Sequence, residues 1–132
     1  MQTVRRTREF SIKLGTDVGT GAELFGMLKA AMVNVVASCC YQSGGESYFS
    51  IVPDDMETAE DVLREGPYTP VLSDVLLVEM PNRPGALADL LSQVAEAGIG
   101  VSNAYVTTSK NRAVAVLKTD SNDKAMKLLS KG

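Results

Sequence analysis

Apolar and polar residues alternate from Glu9 to Leu14, and apolar residues then recur at helical spacing at Leu24, Met27, Leu28, Ala31 and Met32. The first pattern is that of a half-buried strand, the second that of one helix face. Two β-rich runs follow, Val35 to Gln42 and Ser47 to Val52, around the turn pair Gly44-Gly45. Glu57 to Glu65 reads as a second helix closed by Gly66-Pro67, and Tyr68 to Leu72 as an extended piece. The order then returns. Asp74 to Met80 is an apolar strand, Pro81 to Gly85 a turn, and Leu87, Leu90, Leu91 and Val94 a helix face stopped by Gly98. Ile99 to Thr108 and Ala113 to Lys118 are strands around a polar turn, and Ser121 opens a helix carrying Ala125, Leu128 and Leu129.

The chain therefore reads as a duplication. An offset of 64 places Gly21 over Gly85, Ala22 over Ala86, Val35 over Ile99, Ser38 over Ser102 and Tyr41 over Tyr105. After the hairpin the offset becomes 66, with Ala59, Val62 and Leu63 over Ala125, Leu128 and Leu129. Each unit predicts the split βαβ arrangement, βαββαβ: an α+β, ferredoxin-like fold with an antiparallel sheet and both helices on one face. The units are expected at 1–72 and 73–132. The second ends without a clear last strand, and the N-terminal extension from Gln2 to Arg8 is the available candidate for that edge. Each unit alone is marginal in size, so pairing is expected to bury more surface and cover sheet edges.

Composition narrows the chemistry. The 132 residues are 45% hydrophobic and 22% charged, with a net charge of −3. The first 72 residues hold 6 basic and 10 acidic side chains, the rest 7 and 6, so neither unit has the basic excess of a nucleic-acid binder. No apolar run approaches the ~20 residues of a membrane span, and MQTVRRTREF lacks the apolar stretch of a signal peptide. There is no histidine, which removes the commonest general base and metal ligand. Cys39 and Cys40 are adjacent on a strand and point to opposite faces, so they are poorly placed to bridge each other or clamp one metal. A reduced, cytoplasmic protein without catalytic residues, metal or cofactor is expected.

Pro81-Asn82-Arg83-Pro84-Gly85-Ala86-Leu87, following an apolar strand and opening a helix, resembles the ACT-domain family, and Gly98-Ile99 continues the match. These are small βαββαβ regulatory modules that bind amino acids. The resemblance is good over Asp74 to Leu129 and weaker, in register, over Glu9 to Leu72. It implies a freestanding tandem ACT protein that senses an amino acid and pairs as a homodimer. In the family the ligand lies between two ACT units: one supplies the loop, its partner the start of the second strand. Carried over, the site is Asn82, Arg83, Pro84, Gly85, Ala86 and Leu87, with Ile99, Gly100 and Val101. A second, weaker site uses Asp17, Gly19, Thr20 and Gly21 with Val36, beside Val35 and Ala37. Serine-binding relatives commonly carry an amide at the position of Gly100. Its absence implies room for a branched-chain or aromatic side chain. The first unit's loop lacks Asn and Pro, and its Asp17 opposes a carboxylate while suiting an ammonium.

The loop has its own physical reading. A helix start leaves about four backbone N–H groups without partners, and these suit a carboxylate. Pro84 presets φ near the first helical position. Gly85 lets a ligand approach the backbone, and Asn82 can accept from an ammonium or donate to a carboxylate. The same residues also serve as a plain strand-to-helix turn. The rival functional reading is a regulatory or scaffolding subunit of an amino-acid-metabolism enzyme, with no ligand of its own.

Overall fold

The structure, a computed structural model, describes residues 2–15 and 20–130. The elements are β1 (Thr3–Leu14), α1 (Thr20–Ala30), β2 (Val35–Ser43), β3 (Glu46–Pro53), α2 (Met56–Glu65), β4 (Val71–Pro81), α3 (Ala86–Glu96), β5 (Val101–Ser109), β6 (Arg112–Thr119) and α4 (Asn122–Leu129). They form two compact units. The N-terminal unit runs from Arg8 to Ser73, and the C-terminal unit joins the residues through Thr7 to the chain from Asp74 onward.

Each unit has the ferredoxin-like strand order. In the N-terminal unit it is β2-β3-β1-β4, and in the C-terminal unit β5-β6-β4-β1. The last strand of the N-terminal unit is residues 71–73 at its own C-terminal end, and that of the C-terminal unit is residues 3–7 from the start of the chain. Val4 packs on the core of the C-terminal unit, and Leu72 on that of the N-terminal unit. Gln2 donates its side-chain amide to the Leu129 carbonyl at 3.0 Å, and Arg6 pairs with Asp123. The edge left open after α4 is thus filled from the N-terminus.

The cores are built by the predicted periodicities. Phe10, Ile12 and Leu14 of β1 meet Leu24 and Leu28 of α1 and Ala59 and Leu63 of α2. Leu76, Val78 and Met80 of β4 meet Leu90 and Val94 of α3 and Ala125 and Leu129 of α4. These pairs define one repeat offset of 66 from the first strand on. Phe10 faces Ile51 across its ladder as Leu76 faces Leu117, and Ile12 faces Phe49 as Val78 faces Ala115. The offset of 64 over the first half is therefore corrected. Residue identities had placed Val35 over Ile99, whereas Val33 and Ile99 are the equivalent core residues.

Helix ends follow the same equivalence. Gly98 takes φ +74 after α3, and Met32 takes φ +61 after α1. In α1 the N–H groups of Met32 and Val33 bond back to the carbonyls of Lys29 and Leu28, closing the helix through this left-handed residue. A methionine there carries strain that glycine does not, and its side chain is 89% exposed, so no packing compensates. Met32→Gly is expected to raise stability by about 1 kcal/mol. Thermal denaturation should show a midpoint a few degrees higher.

Candidate functional site

The C-terminal unit's loop begins where β4 buries Met80 and ends at the first turn of α3. Gly85 is the N-cap, with φ +87 and ψ −5, a left-handed conformation that strains any residue with a Cβ. No side chain caps the helix. The Ala86 N–H bonds to the Arg83 carbonyl at 3.1 Å, and the Asp89 N–H to the Gly85 carbonyl at 2.9 Å. The N–H groups of Leu87 and Ala88 have no backbone acceptor among the described residues. These are the groups a carboxylate would meet.

Asn82 is engaged within the unit through both its backbone and its side-chain N–H donors. Its backbone N–H donates to the Asn111 carbonyl at 2.9 Å, and its side-chain Nδ2 donates to the Lys110 carbonyl at 2.8 Å. Lys110 is itself left-handed, at φ +54, in the β5–β6 turn. Asn82 thus ties the loop to the hairpin, which leaves Oδ1 as its open acceptor. Glu79 and Arg112 pair across β4 and β6 one step further in. Asn82→Ala is expected to lower stability by about 1 kcal/mol through the lost tether. Urea denaturation of the variant against the parent protein would measure it, and an unchanged midpoint would remove the tether from the account.

Arg83 reaches Asp89 at 2.7 Å and the Pro84 carbonyl at 3.3 Å. Both charged side chains are more than half exposed, so the pair positions the loop more than it stabilises the fold. Asp89 in the first turn also favours the helix dipole. Beside this turn lies a surface cavity of about 560 Å³, with Pro81, Arg83 and Ala86 in its wall. Leu87 is partly exposed at the helix start.

The strand residues assigned with this loop fall elsewhere in the unit. Ile99 is buried in the core, Val101 is a partly exposed residue of β5, and none of Ile99, Gly100 and Val101 lines the cavity. The space at Gly100 is also occupied. A Cβ there would stand 2.8 Å from Oδ2 of Asp120, whose N–H bonds to the Gly100 carbonyl. The room inferred for a branched-chain or aromatic side chain therefore holds a carboxylate.

In the N-terminal unit, Asp17 and Gly19 lie outside the described residues. Thr20 opens α1, and Gly21 packs against the Phe49 ring, where a Cβ would come within 3.2 Å. Val36 sits at the bulge between Val35 and Ala37. The residue that sequence reasoning missed is Asn34. With the offset at 66 it is the counterpart of Gly100, and the equivalent bond joins the Asp54 N–H to its carbonyl at 2.9 Å. Its side chain is exposed beside an apolar groove of about 430 Å³ lined by Phe25, Leu28 and Val35. The amide is thus present in this chain, in the other unit. Correct registration of the repeat would have found it.

Burial pushes the Cys39 thiol pKa up, against a hydrogen bond to Ser50, which is the reverse of an activated nucleophile. Among the described residues, no three His, Cys, Asp or Glu side chains are grouped to hold a metal. No described helix is long and apolar enough to cross a membrane.

Two ferredoxin-like units in one chain, the second completed by the chain's first strand residues, with a glycine-capped strand-to-helix loop, define a class of tandem α+β modules. The chain belongs to the ACT domain pair family, which it matches over residues 5–131. No curated protein matches it. Among solved structures, it resembles protein BT0572 from Bacteroides thetaiotaomicron with a TM-score of 0.90 at 23% identity, over 97% of this chain and 89% of that one. The regulatory subunit of aspartate kinase from Thermus thermophilus, in its ligand-free form, gives 0.69 at 18% identity, over 98% and 95%. That from Thermus flavus gives 0.62 at 15%, over 99% and 94%. At these identities the likeness is one of fold.

Proposed function

We propose that this chain is a non-catalytic cytoplasmic regulator that binds a free amino acid through the C-terminal unit's loop. The ligand carboxylate is received by the open N–H groups of Leu87 and Ala88, and its ammonium by acceptors such as Asn82 Oδ1. The observation that carries this is the αL glycine cap: Gly85 leaves the first turn of α3 without a side-chain cap, beside a cavity. A second copy of the chain contributes the strand half of the site through a homodimer, as family membership suggests. The N-terminal unit carries the weaker site, at Thr20, Gly21 and Val36, with Asn34 added.

The regulated partner is an enzyme of amino-acid metabolism. Its support is the likeness in fold to two regulatory subunits of aspartate kinase, which this chain spans nearly end to end. In the alternative reading the chain acts on such a partner without any ligand.

A thermal-shift panel with the twenty amino acids at millimolar concentration tests the proposal. Ligand at 100 times its dissociation constant adds about 2.7 kcal/mol. That should raise the midpoint by several degrees for one amino acid or one chemical class. A flat response across the panel would remove ligand binding and leave the scaffold reading.

A further inference from the structure

We propose that the N-terminal unit docks a segment of another protein in the groove at the end of α1, one that sets an apolar side chain beside a carboxylate. This rests on the functional reading only in that the chain acts on a protein partner; it needs no bound amino acid.

The groove, of about 430 Å³, has an apolar floor of Phe25, Leu28 and Val35, with Lys29, Met32 and Asn34 at its rim. The floor residues are buried or half-buried, whereas the Met32 side chain stands 89% exposed. A single exposed apolar side chain is ordinary, but one standing over an apolar groove marks a contact surface. Met32 also holds φ +61, a conformation that destabilises the chain relative to glycine.

The duplication provides an internal comparison. At the offset of 66 the buried positions keep their character: Leu28 corresponds to Val94, and Val33 to Ile99. The groove positions do not. Phe25, Lys29, Met32 and Asn34 stand where the C-terminal unit has Leu91, Ala95, Gly98 and Gly100. Each is larger than its counterpart. The same helix end is thus closed with small residues in one unit and built into a groove in the other. Core packing is alike in the two units, so it does not account for the difference. Methionine suits a docking surface, because its unbranched, polarisable side chain adapts to the shape laid against it.

Charge selects the partner. Lys29 is the one charged residue among those lining the groove, and it has no ion-pair partner among the described residues. An ammonium beside an apolar floor favours a carboxylate next to an apolar side chain and disfavours a basic segment. The exposed Asn34 amide adds a donor and an acceptor at the same rim.

Random-peptide display on the whole chain, followed by fluorescence anisotropy of the enriched peptides, tests this. The enriched peptides are expected to share an apolar residue close to Asp or Glu. Met32→Gly should weaken their binding about tenfold or more, as loss of one buried methionine side chain implies. The same substitution should raise the melting midpoint, so lost binding would not be lost folding. Lys29→Gln should weaken binding about threefold and flatten its salt dependence. No enrichment, or peptides bound by Met32→Gly as tightly as by the parent, would overturn the docking site. An enriched set without acidic residues would overturn the partner chemistry. Sedimentation velocity tests the other occupant: if Met32→Gly changes the oligomeric state, a second copy covers the groove and the assignment falls. The amino-acid thermal-shift panel is a separate readout, so failure of the groove is distinguishable from failure of the sensing reading.

Discussion

Phe10→Ala is expected to lower stability by about 4 kcal/mol, and Leu76→Ala, its counterpart at the offset of 66, by about 3 kcal/mol. Both side chains are fully buried at equivalent ladder positions of the two units. The informative feature is how the loss is distributed. β1 and β4 each run without a break from one unit into the other, so the two units are expected to unfold together. Urea denaturation followed by circular dichroism should show one transition moved to lower urea by either substitution, with the slope unchanged. Two separated transitions, only one of which moves, would mean that the shared strands do not couple the units. Against a total stability of roughly 5–15 kcal/mol, either change leaves the protein close to its limit.

Gly85→Val is the second large effect. At φ +87 a β-branched residue has no comfortable conformation, and the expected loss is about 2 kcal/mol. Space is not the obstacle, since the nearest atom to an added Cβ is a guanidinium nitrogen of Arg83 at 3.8 Å, an ordinary contact. Gly85→Asn separates the two possible causes, because asparagine tolerates the left-handed region better. It should recover much of the stability. If the first turn of α3 receives a carboxylate, the valine variant also loses the amino-acid-dependent rise in melting midpoint, and the asparagine variant keeps part of it. A valine variant as stable as the parent would show that the loop relaxes to an ordinary turn.

Asn82 serves the loop in two ways: its bonds to Lys110 and Asn111 hold the loop against the hairpin, so its substitution should change stability along with affinity.

Local order was legible from residue pattern alone. The alternation from Phe10 to Leu14, the helical spacing from Leu90 to Val94, the Gly44-Gly45 hairpin turn and the stop at Gly98 each depend on neighbours a few residues away. They place the elements and select the core faces. The Asn82-Arg83-Pro84-Gly85 loop was legible for the same reason: its chemistry is that of a helix start, whatever surrounds it. The repeat offset was not. A slip of two residues returns every strand side chain to the same face, so strand periodicity could not separate 64 from 66. Scattered identities such as Gly21 over Gly85 and Tyr41 over Tyr105 then decided wrongly, and Asn34 was hidden over Gly98.

Placement across long separations belonged to the tertiary structure. Residues 3–7 complete a sheet whose other strands begin some 70 residues later, because an unfilled edge and the apolar Val4 find their partners there. Asn82 became a tether because the β5–β6 turn arrives within 2.8 Å of its amide. Asp120 closed the space at Gly100, and the polar cavity along α3 came from side chains whose meeting no spacing rule encodes. The sequence by itself determined the central residues of each strand, helix and turn, since those depend on short-range sterics and periodic burial, but not that β1 runs back to Thr3 or that β4 joins residues 71–73 and 74–81 in one strand. Which strand completes which unit, and which polar groups are left without partners, depended on packing between distant segments and was decided only when the chain folded.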